Sequence, residues 1–373
     1  MVPIWVSVFV AVSSLAAFWM ERLPVASETG RAQVTATTPM RIARMAHSAT
    51  TLPNGRVLVA GGFTGDAHAD VSAELFDGRS ERFAPLPRMR LPRHSHTATL
   101  LESGQVLIVG GYGDGSTPTA AAELFDPRTN RFVSTGDLQA ARAGHVAVRL
   151  RDGRVLVAGG VGPGWTFLAS AEVYDPATGR FTPTGAMSVP RESHVAVRLL
   201  DDRVLVVGGH RGRRADIVIY TSAETYSTVT GTFTPVGELR VRRHKHDAVL
   251  LRDGRVLVTG GSDERDDAGA YRSTELFDAS TGSFSMGPSL QRARYKHQGS
   301  SVLLPDGSVL LAGGAAVSER FDPVRGQFTA VPGDDALTGQ FSAAAVLPDG
   351  RVLISGGYGA GRGPQALAWL YRP

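Results

Sequence analysis

Short apolar runs, mostly Val and Leu, recur along the chain, and each ends in a pair of glycines. The pairs stand at Gly61-Gly62, Gly110-Gly111, Gly159-Gly160, Gly208-Gly209, Gly260-Gly261, Gly313-Gly314 and Gly356-Gly357, spaced by 49, 49, 49, 52, 53 and 43 residues. Unbroken runs this short predict strands buried on both faces. A period near 50 residues with strand content predicts a propeller of four-stranded blades.

Each period divides into four strands. The first follows a histidine, as in His145-Val-Ala-Val-Arg-Leu150, and a hairpin turn such as Asp152-Gly153 or Asp306-Gly307 leads into the apolar run. Asp-Gly and Asn-Gly supply the positive φ that a two-residue hairpin demands. The third strand reads Glu-Leu-Phe or a variant, as at Glu74, Glu123, Glu172, Glu275 and Glu319, and a turn such as Asp175-Pro-Ala-Thr-Gly179 closes it. There Asp caps, Pro presets φ and Gly takes the left-handed position. The fourth strand carries Phe83, Phe132, Phe181, Phe233, Phe284 or Phe328.

The distance from Glu to Phe is 9 in all six complete units, and that from His to the glycine pair is 14 except in the sixth, where it is 16. The interval between the glycine pair and the third strand varies, so one connection is free to carry specificity. The seventh unit ends at Trp369-Leu-Tyr371 without a fourth strand, and Val34 in Gln33-Val-Thr-Ala36 lies 13 residues before His47, where the missing aromatic would fall. The expected fold is therefore all-β: a seven-bladed propeller whose last blade is closed by an N-terminal strand, which leaves no open sheet edge.

Ahead of the repeats, Val2 to Met20 is apolar apart from three serines, and Val25-Ala26-Ser27 would suit cleavage. Residues 1–27 are expected to be a signal peptide or a membrane anchor, with residues 2–20 as the tether. Residues 28–373 then form one propeller domain, outside the cytoplasm and monomeric. A hydrophobic fraction of 42% fits a globular protein, and the net charge of +4 gives no reason to expect nucleic acid as a partner. The cations are 37 arginines and only two lysines, Lys245 and Lys296, an imbalance read here as coding bias. The chain has no cysteine, which removes disulfides, thiolate metal sites and a cysteine nucleophile.

Glycine pairs after an apolar strand, with an aromatic in the third strand and another in the fourth, resemble the Kelch repeat. The form Arg-x-x-His-x-Ala with Leu-x-Asp-Gly-Arg-Val-Leu is similar to exported bacterial Kelch proteins. Kelch propellers are mostly binding modules, and a minority are copper radical oxidases or sialic acid epimerases, so the resemblance does not choose a function. The oxidase chemistry needs a tyrosine crosslinked to cysteine, which this sequence cannot supply.

Arg44, Arg93, Arg142, Arg191, Arg243 and Arg294 each stand three residues before a first-strand histidine. One reading is an anion-binding ring at the channel mouth, since Arg offers bidentate geometry to carboxylates. In Kelch substrate adaptors, arginines at a similar station hold an acidic peptide. The other reading is pairing inside each blade, where Arg or His would reach the third-strand Glu across the glycine pair. The histidines lack local metal-ligand spacing, so neither metal nor cofactor is expected.

Two variable loops add candidates. The fourth unit offers His210, Arg211, Arg213 and Arg214, and the fifth offers Asp263 and Glu264. Tyr112 and Trp165 on neighbouring loops could stack on a sugar or peptide. The expected function is a noncatalytic propeller that binds a protein or glycan on this rim, and the alternative is a sugar-modifying enzyme at the same mouth.

Overall fold

The computed structural model describes residues 32–373, apart from 65–67, 334–338 and 360–362. The apolar segment 2–20 and the cleavage motif lie outside the described residues. From Ala32 onward the chain forms one all-β unit of seven four-stranded antiparallel sheets.

Blade three shows how the sequence produces a sheet. Val146–Arg149, Val155–Ala158, Ala171–Asp175 and Arg180–Thr184 pair in that order. The Asp152 carboxylate accepts the backbone N–H of Arg154 at 3.1 Å and its Nε at 2.8 Å, which fixes the first hairpin. Tyr174 lies opposite Phe181 with ring centroids 4.8 Å apart, and equivalent pairs recur in the other five complete blades. Such cross-strand aromatic pairs set register and anchor the outer strand.

The second strands are buried along their whole length, as expected for strands covered on both sides. Alternate residues serve alternate neighbours. In blade one, Val57 and Val59 pack toward blade seven with Leu353 and Leu370, while Leu58 and Ala60 pack toward blade two with Val106 and Ile108. The period of two along a strand thus makes each sheet the shared wall of two cores.

First strands of neighbouring blades touch in cyclic order and surround a central channel, with Ser48–Thr51 against Ala343–Val346 completing the ring. Gln33–Ala36 adds to Ala368–Arg372 as the fourth strand of blade seven, with Val34 opposite Tyr371 and 3% exposed. Arg372 then forms an ion pair at 2.9 Å with Glu81 of blade one.

Candidate functional site

The six repeated arginines turn into their own blades. Arg142 is fully buried: its Nη1 donates to the carbonyls of Gly159 at 2.8 Å and Ser170 at 3.0 Å, and its Nη2 donates to Glu172 at 3.0 Å. The second Glu172 oxygen accepts the backbone N–H of Gln139 at 2.8 Å. Arg44, Arg93, Arg191, Arg243 and Arg294 repeat the arrangement with Glu74, Glu123, Glu224, Glu275 and Glu319. Their 0 or 1% exposure fits the pairing reading and removes these arginines as the anion-binding candidates of the other. A guanidinium removed from water needs partners for its donors, and the blade interior supplies carbonyls and a carboxylate to the two terminal nitrogens, leaving each Nε without one.

The histidines do not share those glutamates. Four of the six reach back to the preceding blade, where Nε2 meets a hydroxyl: His96 with Ser48 at 2.9 Å, His145 with Thr97 at 2.9 Å, His297 with Thr259 at 3.1 Å and His47 with Ser355 at 2.9 Å. The ring lies over the first glycine of that blade's pair. A Cβ on Gly159 would stand 2.6 Å from His194 Cε1, and the Gly159 φ of +71° already favours glycine. Burial, reinforced by the adjacent arginine, lowers His47, His145 and His297 to about 3, so these rings are neutral.

Between each Arg and His lies a feature that the sequence did not announce. The residue just before the histidine, or before Ser342 in blade seven, is left-handed in every blade: Ala46, Ser95, Ser193, Lys245, Lys296 and Phe341 have φ between 50° and 53°, and Gly144 has 62°. Their backbones join neighbouring blades. Ala46 N–H bonds to Phe341 C=O at 3.0 Å, Ser95 to Ala46 at 3.0 Å, Gly144 to Ser95 at 3.0 Å, Lys245 to Ser193 at 3.0 Å, Lys296 to Lys245 at 2.8 Å and Phe341 to Lys296 at 2.7 Å. Left-handed non-glycine residues are strained, and such strain collects at functional positions held by their surroundings.

This collar surrounds the mouth of a cavity of about 950 Å³, whose charged groups come from blades four to six and their loops: Glu192, Arg213, Arg214, Lys245, Asp247, Glu264, Asp266 and Lys296. Arg213 reaches Glu192 at 3.0 Å, and Lys245 reaches Asp266 at 2.5 Å. Lys296 bonds the Tyr358 hydroxyl at 2.6 Å and stands within 5.5 Å of the Tyr295, Phe341 and Tyr358 ring centres. Burial pushes the Glu192 carboxyl up and the Lys245 ammonium down.

Of the residues expected from the loops, His210, Arg213, Arg214 and Glu264 line this cavity. Arg211 is exposed in a short ribbon, and Asp263 is occupied by Arg265 at 2.6 Å. Trp165 is 51% exposed with the Arg213 guanidinium 3.9 Å from its ring centre, and Tyr112 is buried between His94 and Trp165. Glu192 and Asp247 escaped sequence reasoning. Lys245 and Lys296 carried a signal, because the only two lysines occupy the same station of adjacent blades, and coding bias does not account for that placement.

A Kelch motif matches residues 142–188, the segment that runs from Arg142 through blade three. The chain is a Kelch-type seven-bladed β-propeller. The Kelch fold is shared with a fungal alcohol oxidase of the AA5 family in complex with copper, at 16% identity and TM-score 0.72, covering 92% of this chain and 77% of that one. It is also shared with YjhT at 14% identity and TM-score 0.62, covering 79% of this chain and 99% of that one. Comparison with curated protein sequences gives no significant match.

Copper does not fit this Kelch propeller as a radical centre. Cysteine is missing, and among the described residues no three His, Cys, Asp or Glu side chains converge on one point. Blade six modifies the channel instead. Its two extra residues form a turn from which the Gln298 amide donates to His194 C=O at 3.1 Å, past blade five. Asp247 accepts the Ser301 N–H at 2.8 Å, and burial raises its carboxyl to about 6.

Proposed function

We propose that this Kelch propeller is a ligand-binding protein whose site is the channel mouth, and that it takes a polar ligand, either a saccharide or a peptide segment. The observation that carries this reading is the strained collar opening into the cavity where the charges of blades four to six gather. Small residues at Ala46, Ser95, Gly144 and Ser193 keep one side open, and lysines face it from blades five and six. Trp165, half exposed on the rim, adds an aromatic face suited to a sugar. The sequence before the propeller supports a location outside the cytoplasm, where glycans and exported proteins are the available partners. The reading is tested by screening residues 32–373 against a panel of glycans and exported proteins, then repeating the hit with Arg213→Ala and Trp165→Ala. A hit that both changes weaken at least tenfold sustains it, and binding indifferent to both moves the site elsewhere.

A second reading is favoured by one observation. The Glu192 carboxyl, pushed up by burial, and the Lys245 amine, pushed down by burial, interact across the same mouth. Opposed shifts of this kind suit proton donation and removal on a bound sugar, so turnover of any glycan hit is the measurement to make alongside binding.

A further inference from the structure

The two lysines call for an explanation that a positive charge alone does not give. In a chain with 37 arginines, a cation at the mouth could be another arginine, as it is at Arg213 and Arg214. Lysine differs in chemistry: its amine can release a proton and attack carbon, whereas a guanidinium keeps its charge. Both lysines occupy the left-handed collar station, and the Lys296 N–H bonds directly to the Lys245 carbonyl at 2.8 Å, so their side chains start from adjoining points of one rigid ring.

Their surroundings then differ. Lys296 is held among three aromatic rings and bonds to Tyr358; burial lowers its pKa most, but the combined interactions with Tyr358 and Tyr295 outweigh it and leave the pKa above the usual lysine value. Lys245 is 17% exposed, and its pKa falls through burial and the Lys296 charge despite the Asp266 ion pair. A desolvated amine beside a second, fixed cation is a recognised arrangement for an amine nucleophile. Glu192, raised by burial, interacts with Lys245 from the adjoining blade and can donate a proton.

We propose that Lys245 is a reactive amine that forms an imine with the aldehyde of a ligand seated in the mouth, such as the open-chain form of a reducing sugar, with Lys296 as its charged neighbour. In the addition step, neutral Lys245 Nζ attacks the carbonyl carbon. The C–N bond forms, the carbonyl oxygen takes a proton from Glu192, and the nitrogen loses one to Asp266. In the elimination step, Asp266 returns its proton to the new hydroxyl, which leaves as water as the C=N bond forms. The iminium proton restores Glu192. The sum is aldehyde plus amine giving imine plus water, with no oxidant or reductant.

This inference rests on the mouth being the ligand site, and the test separates the two. With only two lysines in the sequence, reductive trapping maps without ambiguity. The folded protein is incubated at neutral pH with D-glyceraldehyde and sodium cyanoborohydride, and the Lys245 and Lys296 peptides are quantified by mass spectrometry. Lys245 is expected to label several-fold faster than Lys296, because its pKa is lowered where that of Lys296 is raised. The Lys296→Met variant is expected to slow Lys245 labelling while the melting temperature is monitored, and Lys296→Arg, which keeps the charge, to preserve it. Equal labelling of both lysines, labelling of Lys296 alone, or Lys245 labelling unaffected by Lys296→Met would overturn the proposal. A glycan that binds in a way Arg213→Ala weakens, yet never protects Lys245 from the reagent, overturns it while leaving the binding site in place.

Discussion

Glu172 holds Arg142 at 3.0 Å in the interior of blade three, and the same carboxylate takes the Gln139 backbone N–H, so one side chain fixes both the third strand and the segment that leads into the first. Removing its charge leaves a guanidinium buried without its counterion. Glu172→Gln is expected to cost about 3 kcal/mol. Urea denaturation measures it, and an unchanged midpoint would mean that the pair contributes little.

The His194 ring occupies the space that a Gly159 side chain would need. Gly159→Ala places a methyl 2.6 Å from the ring and 2.7 Å from the Arg191 carbonyl oxygen, at a φ of +71°. Gly115, at +67° with nothing within 4 Å, is the control for backbone strain alone. Gly115→Ala is expected to cost about 1 kcal/mol, the left-handed penalty, and Gly159→Ala distinctly more. Similar losses from both would show that the histidine yields easily.

Acid should unfold the propeller. His47, His145 and His297 have folded pKa values of about 3 against an ordinary 6.5, and burial places His96, His194 and His246 well below 6.5 as well. The unfolded chain therefore binds more protons in this window. The stability is complete above 6.5 and falls as pH drops through it toward 3. Asp247, raised to about 6, works in the opposite direction between its ordinary 3.8 and 6, as does Glu192, raised by burial, but these are two groups against six. Melting temperature followed from pH 8 to 4 is expected to decline steeply below pH 6.5, and a flat profile would contradict neutral histidines.

Ring closure rests on Val34. Packed at 3% exposure against blade seven and opposite Tyr371, it has no room for a charge. Val34→Asp is expected to detach the closing strand, cost about 3 kcal/mol or more by burying an unpaired carboxylate, and open blade seven to limited proteolysis. Cleavage patterns identical to the parent protein would show that closure does not depend on this residue.

The fold was legible because a propeller repeats its instructions. Gly-Gly after Val-Leu-Val, Glu nine residues before Phe, and Val34 at the vacant aromatic station fix blade number, strand order and closure, since each depends on local pattern and spacing. The candidate site was legible only in pieces. Arg213 and Trp165 stood out as loop residues, but their stacking joins two loops of different blades, and Glu192 looked like one more polar residue beside Arg191.

What the sequence determined alone is therefore the periodic part: seven sheets, buried second strands, a ring shut by its own N-terminal strand, and an absence of cysteine that removes copper radical chemistry. The tertiary structure decided where the charges go. Six arginines that could have faced a ligand are enclosed with their glutamates, and two lysines set down as coding bias stand side by side at the mouth. The physical reason is that burial and cross-blade contact depend on the circular packing of sheets far apart in sequence, and no local spacing encodes which end of a side chain meets water.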